Sequence, residues 1–436
     1  MRKKITNILL ILLCSVISGL LLLTGIFCLP TDTAKSHVEE SLYNMIDVAK
    51  DENGSVWRKK VIHEKDCFTD YLMVQNALEK VEGRSALEHA VYIYHYDLGN
   101  EQTWLTEESL VESLKQGTEG MFLREYSRYW HGYLVWLKPL LMCMTWSHLE
   151  SFLMIFQVFL LLAVIILSFY KKQYYLGIGV FVTLGFMKPL GVWASLTLMT
   201  CWTISLLAIL ILLLFRERII KKNWREEFFL LIGIMTAYMD FLTYPIATLG
   251  IPLCFYIVQS MDEEDGWWQK LKQYIGMILC WGIGYVGMWA MKWLVAELIF
   301  QTGTLKDAVW SVIFRAEPLD GYSSRFSGVA RTVDAVLQQY DYRYYWIVMG
   351  IVIVALAFTV SCLIKKPSQK WLISVVCLSV TALFPFIWLV LTQNHTAIHC
   401  SYTFRIMGIT VMALCSLIAC SVRELQMQKS IKKVEK

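Results

Sequence analysis

Charge is scarce in this chain. Only 17% of its 436 residues are Asp, Glu, Lys or Arg, against about 25% in soluble domains, while 56% are hydrophobic. That balance argues against a soluble globular protein. The chain also lacks a Walker loop, a GxGxxG turn and any zinc-type Cys/His spacing, so nucleotide-cradling and zinc chemistry have no motif to rest on. A net charge of +4 is too small to point to a nucleic-acid partner, and none is expected. There is no internal repeat and no low-complexity linker. No A-x-A site follows the first apolar run, and Phe27 rather than a small residue stands before Cys28, so a retained first helix is expected rather than a cleaved signal. The twelve cysteines are scattered, mostly inside apolar runs, where they act as small hydrophobes. Cys67 and Cys400 both fall in outward segments, which permits a disulfide without requiring one.

What is present is a succession of apolar runs. About 20 apolar residues cross a bilayer as helix, because unpaired backbone groups are costly in hydrocarbon. The expected fold is an all-α polytopic membrane protein of about ten transmembrane helices, with a large outer loop between the first and second. The spans are read at 5–29, 150–170, 174–190, 193–215, 227–242, 245–260, 273–298, 346–364, 371–392 and 403–422. Residues 1–30 form the first helix, 31–149 an extracytoplasmic loop with amphipathic helices, and 150–436 a membrane body with a second outer loop at 299–345. Twenty Lys and Arg residues fall on one set of short connections and termini, including Lys171, Lys172, Arg216, Lys222, Lys365 and Lys433. The turns near Thr243 and Asn394 carry none, and Lys188 stands alone at a third. Both termini are therefore expected in the cytoplasm. The spans at 174–190 and 227–242 are short for a crossing. Helices that stop inside a membrane leave a polar notch that protein or water must line, unless the bilayer thins or the helix tilts.

In the first outer loop, Ser36–Lys50 and Thr69–Val81 have helical spacing. Leu87–Tyr96 reads as strand or as an interfacial aromatic patch. Arg124–Trp146 mixes Arg, Tyr, Trp and His with an apolar stripe, and is expected along the membrane surface, feeding the second span. The second outer loop holds Arg315, Glu317, Asp320, Arg325 and Arg331.

Three clusters can carry chemistry. Asp240, in Ala237-Tyr-Met-Asp-Phe-Leu-Thr-Tyr-Pro, is a carboxylate at the outer end of a short span, where charge is costly. It reads as functional, as a pair with Lys188 or Lys292, or as a cap on the helix that starts near Thr243 and Pro245. Asn394, His395, His399 and Arg405 flank the shortest outer loop, and His399 and Arg405 can face one cavity. Arginine there binds a phosphate bidentately, or snorkels. Asn394-His395-Thr396 also matches a glycosylation sequon. Acidic residues of the first loop, Asp32, Asp66 and Asp70, are either solvated carboxylates or a general base for an acceptor hydroxyl. Arg124, Arg128 and Lys138 suit anionic headgroups or solvent.

The layout resembles the GT-C superfamily of polytopic glycosyltransferases. The likeness rests on the loop Thr31–Glu150, on Tyr129-Trp-His-Gly-Tyr-Leu-Val-Trp-Leu-Lys-Pro-Leu-Leu, and on the late Asn-His-Thr-Ala-Ile-His…Arg element. The chain is also similar to uncharacterised multi-pass proteins of Gram-positive bacteria that carry Arg-Tyr-Trp-His-Gly-Tyr-Leu and Asp-Phe-Leu-Thr-x-Pro. The superfamily's acidic diad and Trp-Trp-Asp motif are absent. The resemblance implies a bacterial plasma-membrane hexosyltransferase working on the outer face. Its donor would be a polyprenyl-phosphate sugar and its acceptor a cell-envelope glycan, with membrane lipid around it. Asp70 or Asp32 would be the base, with Asp240 the next candidate. Arg405, His395 and His399 would meet the phosphate, with Arg128 and Lys188 as further substrate-binding cations. No cofactor is implied, and a divalent metal is left open. The rival is a glycan or lipid flippase without catalysis. That class shows inverted repeats with broken helices in both halves, and the short paired spans at 174–215 and 227–260 have no later counterpart. An assembly protein with no site is the third reading. Its outer loops would not converge on a polar cavity.

The topology has a direct check. In a cysteine-depleted background, single cysteines at Asn53 and Gln301 should label from outside intact cells. Those at Lys222 and Lys433 should label only after permeabilisation, and outside labelling at Lys222 would refute the orientation.

Overall fold

The computed structural model describes residues 2–45, 48–50, 56–58, 65–100, 103–301, 303–317 and 325–434. The protein is 80% helical. Among the described residues, seven helices are long and apolar enough to cross a membrane: Lys4–Phe27, Trp146–Tyr170, Leu196–Lys221, Trp267–Phe300, Tyr342–Ile364, Gln369–Leu391 and Cys400–Ser430. Large apolar side chains stand exposed along them, such as Leu21, Ile155, Phe159, Val286 and Ile353. A lipid-facing surface requires this, and water would penalise it.

The other three expected spans are short helices. Tyr174–Phe186 and Ala247–Gln259 have 13 residues each, and Arg225–Met239 has 15. At a rise of about 1.5 Å per residue none reaches the length of a full crossing. The long helices pack around them, and Ala247–Gln259 is buried along its whole length. The late apolar run is also interrupted. Gln369–Ala382 ends at Leu383 and Phe384–Leu391 restarts with Pro385 in its first turn, where a missing N–H costs nothing. Two short helices, Gln393–Ile398 and Cys400–Thr403, follow before the last long helix Gly408–Val434.

The tightest packing joins Arg225–Met239 to Trp267–Phe300, and glycine permits it from both sides. A Cβ on Gly233 would stand 2.2 Å from the Trp281 carbonyl oxygen, and one on Gly284 would stand 2.3 Å from that of Leu230. Small residues let two membrane helices approach backbone to backbone, and dispersion then holds them where hydrophobic force between helices is absent.

The segment between the first two long helices is built on this body. Asp32–Met45 packs against Leu134–Cys143 and Trp146–Tyr170. His37 Nδ1 meets the Leu141 carbonyl at 2.9 Å, and the Trp146 N–H donates to Ser41 Oγ at 2.9 Å. Of the expected helix Ser36–Lys50, residues 46 and 47 lie outside the described residues, and 48–50 form a short strand paired antiparallel with Val56–Arg58. Thr69–Val81 is helical as Cys67–Leu78. Leu87–Tyr96 divides: Ala86–Tyr92 is a helix with a Ser85/Glu88 capping box, Ile93 turns at φ 51°, and Tyr94–Asp97 pairs antiparallel with Phe122–Glu125. Arg124 bridges the hairpin to Asp97 at 3.1 Å, with both side chains buried.

The surface reading of Arg124–Trp146 is corrected. Trp130, Tyr133, Leu134, Leu137 and Leu141 are buried, so the apolar stripe faces protein rather than headgroups. Trp130 donates its indole N–H to the Met288 carbonyl at 2.7 Å, and the Gly132 N–H donates to that of Tyr238 at 2.8 Å. A Cβ on Gly132 would lie 2.2 Å from the Tyr238 ring, so this approach needs glycine. Asp320 and Asn53 lie outside the described residues.

The glycine contact predicts a contrast. Gly233→Val or Gly284→Val should lower the thermal midpoint of the detergent-solubilised protein by several degrees. Gly282→Val, on the same helix with open space at its Cβ, should leave it unchanged. Size-exclusion chromatography after heating reads all three.

Candidate functional site

A polar cavity of about 860 Å³ opens at the end of the helical body that carries the hairpin. Its walls come from seven stretches of the sequence: 65–72, 103–104, 126–129, 197–198, 241–243, 315 and 395–402. Chemistry and shape combine there. Asp66, Arg128, Arg315, His395 and His399 bring hydrogen-bonding and charged groups, and Trp104, Tyr126, Tyr129, Phe241 and Tyr402 bring rings.

Asp66 is the N-cap of Cys67–Leu78. Its Oδ1 accepts the Thr69 N–H at 3.3 Å, as a cap should. Its Oδ2 is buried with no hydrogen-bond partner among the described residues. Burial pushes its pKa above the ordinary carboxylate value, while the Thr69 hydrogen bonds and the nearby Arg405 charge pull the other way. One turn on, Asp70 is fully buried and differently employed. Its Oδ1 accepts from Ser195 Oγ at 3.0 Å and from the N–H and hydroxyl of Thr197 at 2.9 Å each. Burial raises the Asp70 pKa to about 7, with Lys65 opposing. Lys65 itself pairs with Glu150 at 2.7 Å.

The two cavity arginines are held by one helix, Thr304–Ala316. Arg128 pairs with Asp307 at 3.2 Å and donates to Ser311 Oγ at 2.5 Å. Arg315 donates to the Tyr129 hydroxyl at 3.1 Å and to the Ser311 carbonyl at 3.0 Å. Ser127 and Thr304 hydroxyls meet at 2.7 Å, and Asn394 donates to the Phe314 carbonyl at 3.0 Å. The helix thus joins the 126–129 turn to the 393–399 turn, with Arg315 directed at the cavity between them. On the third wall His395 Nε2 donates to the Leu242 carbonyl at 2.9 Å, and the His395 and His399 rings lie 4.7 Å apart. Burial holds both imidazoles down, to about 3 and about 4, with Arg315 adding to the effect. Both are neutral near pH 7 and serve as dipoles rather than cations.

The expected residues are partly gathered here. Arg128, His395 and His399 line the cavity. Arg405 does not. It is fully buried, its guanidinium 4.5 Å over the Phe404 ring and donating to the Ser401 carbonyl at 3.2 Å, so it acts on the site through its field on Asp66. Asp70 is tied up beneath the cavity. Asp32 stands exposed at the start of Asp32–Met45 and is not among the lining groups. Asp240 caps the next turn, accepting the Thr243 N–H at 3.0 Å and its hydroxyl, so its neighbours Phe241 and Thr243 face the cavity and it does not. Lys292 is spent on the Ala90 and Val91 carbonyls, 2.9 Å from each. Lys188 lies elsewhere, its ammonium 5.3 Å over the Phe404 ring. Cys67 and Cys400 are not joined by a disulfide.

Arg315 is a residue that sequence reasoning passed over as a site group, and Asp66 was weighed among the first-loop carboxylates but not ranked with Asp70, Asp32 and Asp240. A capping signal, Asp66 three residues before Thr69, was legible but reads as structural. Arg315 falls on the polar side of an amphipathic helix, a weak hint. Among the described residues no cluster of three or more His, Cys, Asp or Glu can hold a metal ion. Comparison with protein-family models, with curated proteins and with solved structures finds no match.

The Asp70 environment predicts a pH effect. Its pKa rises from 3.8 to about 7 on folding, so the folded protein keeps a proton that the unfolded chain releases. Stability from this group is full below pH 4 and is lost as pH rises to about 7. Thermal midpoints of wild type, taken relative to Asp70→Asn, should fall between pH 4 and 7 and level off above. A flat difference would mean that folding leaves the Asp70 pKa where it stands in the unfolded chain.

Proposed function

We propose that this chain is a membrane glycosyltransferase, a hexosyltransferase that moves a sugar from a polyprenyl-phosphate donor to a cell-envelope acceptor on the outer face of a bacterial plasma membrane. The reading includes ten membrane-inserted segments, short ones among them, both termini in the cytoplasm, and the 31–149 segment outside. One observation carries it. The Asp66 carboxylate, with an oxygen left unpaired, shares a cavity with two arginines and a set of aromatic rings. An assembly protein has no need of that convergence. Carbohydrate suits aromatic walls such as Trp104 and Tyr126, and phosphate suits guanidinium forks.

In the proposed reaction Asp66 Oδ2 takes the proton of an acceptor hydroxyl. The hydroxyl oxygen bonds to the sugar's anomeric carbon, and the bond from that carbon to the phosphate oxygen breaks. Polyprenyl phosphate leaves with the electron pair, and Arg128 and Arg315 take up its charge. The base is Asp66 rather than Asp70 or Asp32, because a base must reach the acceptor. A raised carboxylate pKa suits this work, since it makes the group a stronger base.

The test uses the purified full-length protein in nanodiscs with a synthetic polyprenyl-phosphate hexose and envelope glycan. Asp66→Asn should lower transfer by about 10²–10⁴, and Arg315→Ala should weaken donor binding, while Asp32→Asn stays near wild type. The acid limb of the wild-type pH profile should lie above the usual carboxylate pKa. Normal transfer by Asp66→Asn would move the base elsewhere. If intact protein consumes no lipid-linked sugar but exchanges it between leaflets of a vesicle, the flippase reading replaces this one.

A further inference from the structure

A second pocket lies at the far end of the helical body. Trp146–Tyr170 starts beside the central cavity, where Lys65 sits 5.5 Å over the Trp146 ring, and ends at this pocket 25 residues later. At about 1.5 Å per residue the two openings stand roughly 37 Å apart. The pocket holds about 250 Å³, and Lys171, Lys172, Gln173, Leu176, Val258 and Gln259 line it. A Schellman turn places the lysines at the helix end. The Lys172 N–H donates to the Phe169 carbonyl at 2.9 Å and the Gln173 N–H to that of Ser168 at 2.7 Å, with Lys172 at φ 57°.

We propose that this pocket binds the phosphoglycerol head of an anionic phospholipid, its phosphate at Lys171 and Lys172 and a glycerol hydroxyl on the Gln259 carboxamide. The charge is the first argument. No carboxylate lines the pocket, both lysines are exposed, and among the described residues neither stands in an ion pair. Arg423 also lines it but is not counted, because it pairs with Asp262 and donates to the Val258 carbonyl at 3.1 Å. The second argument is an unmet acceptor. Gln259 is 4% exposed and its Nε2 donates to Gln173 Oε1 at 2.9 Å, while its Oε1 has no hydrogen-bond partner among the described residues. A buried carboxamide oxygen without a donor is costly. A hydroxyl entering the pocket supplies that donor, and a choline head has none to give. The third argument is the setting. Phe169 and Tyr170 stand 51% and 79% exposed where the lipid-facing helix meets the pocket, and unpaired positive charge at that level attracts anionic lipid. The site is independent of the transfer reading.

The experiment loads the purified full-length protein with equal amounts of phosphatidylglycerol, phosphatidylcholine and phosphatidylmethanol, exchanges it into detergent, and counts retained lipids by native mass spectrometry. Thermal midpoints confirm that each variant is folded. Wild type should retain phosphatidylglycerol over phosphatidylcholine by about tenfold, the ratio that one charge-assisted contact supplies. Lys171→Gln with Lys172→Gln should bring that ratio close to one. Lys365→Gln with Lys366→Gln, a like pair just after Tyr342–Ile364 and outside the pocket, should leave it unchanged. Phosphatidylmethanol carries the same charge without the hydroxyls. Wild type should favour phosphatidylglycerol over it by about threefold, and Gln259→Met should show no preference. Equal retention of phosphatidylglycerol and phosphatidylcholine by wild type, or equal loss of enrichment from the two lysine pairs, would overturn the pocket in favour of general charge attraction. A preference over phosphatidylmethanol that is absent from wild type, or that survives in Gln259→Met, would overturn the Gln259 contact. Displacement of the retained lipid by an excess of glycerol 3-phosphate would assign the pocket to a free phosphate and overturn the lipid.

Discussion

Buried polar groups whose partners lie across the chain hold the polar segment to the membrane body, and the site depends on them. A hydrogen-bonding group removed from water costs several kcal/mol unless it is met, so each such pair has one satisfactory position. Asp70 finds Ser195 and Thr197 at the start of a membrane helix. Lys292, deep in another, caps the last carbonyls of Ala86–Tyr92, where the helix end is partially negative. Trp130 gives its indole proton to Met288. These contacts come from three parts of the segment and reach two helices, Leu196–Lys221 and Trp267–Phe300, so the segment cannot shift as a unit without orphaning one of them.

The cavity's charge arrangement follows from that fixation. Asp66 sits one helical turn before Asp70, so anchoring the second positions the first. The two carboxylates of this turn therefore divide the labour: the fully buried Asp70 is structural, and the partly buried Asp66 lines the cavity. On the opposite wall, Thr304–Ala316 ties Arg128 and Arg315 through Asp307, Ser311 and Tyr129. Its other side is apolar and exposed, with Trp310 63% and Ile313 53% open. An exposed apolar face of that kind suits a membrane interface.

Phe404 and Arg405 show how one short stretch serves two surroundings. The Phe404 ring meets two cations, Lys188 and Arg405. A buried guanidinium is tolerable where an aromatic face and a carbonyl meet it. Sequence reasoning grouped Arg405 with His399 by their spacing of six residues. In the protein the intervening 3-10 turn, Phe404–Met407, directs Arg405 inward while His399 faces the cavity.

Hydropathy determined the class of this protein and the positions of its long apolar helices, because lipid tests each residue locally and leaves a continuous record of about 20 residues per crossing. The short helices at 174–186 and 225–239 were legible for the same reason. The burial of Arg124–Trp146 was not, since a stripe of Trp, Tyr and Leu reads alike whether it meets headgroups or the flank of another helix. Nor could sequence choose among the carboxylates. Asp32, Asp66, Asp70 and Asp240 are chemically alike, and what separates them is the partner each one finds. Thr243 lies three residues from Asp240 and was read as a cap signal, but Thr197 lies 127 residues from Asp70. Only the tertiary structure brings that threonine to the carboxylate and so decides that Asp66 is the one left facing the cavity.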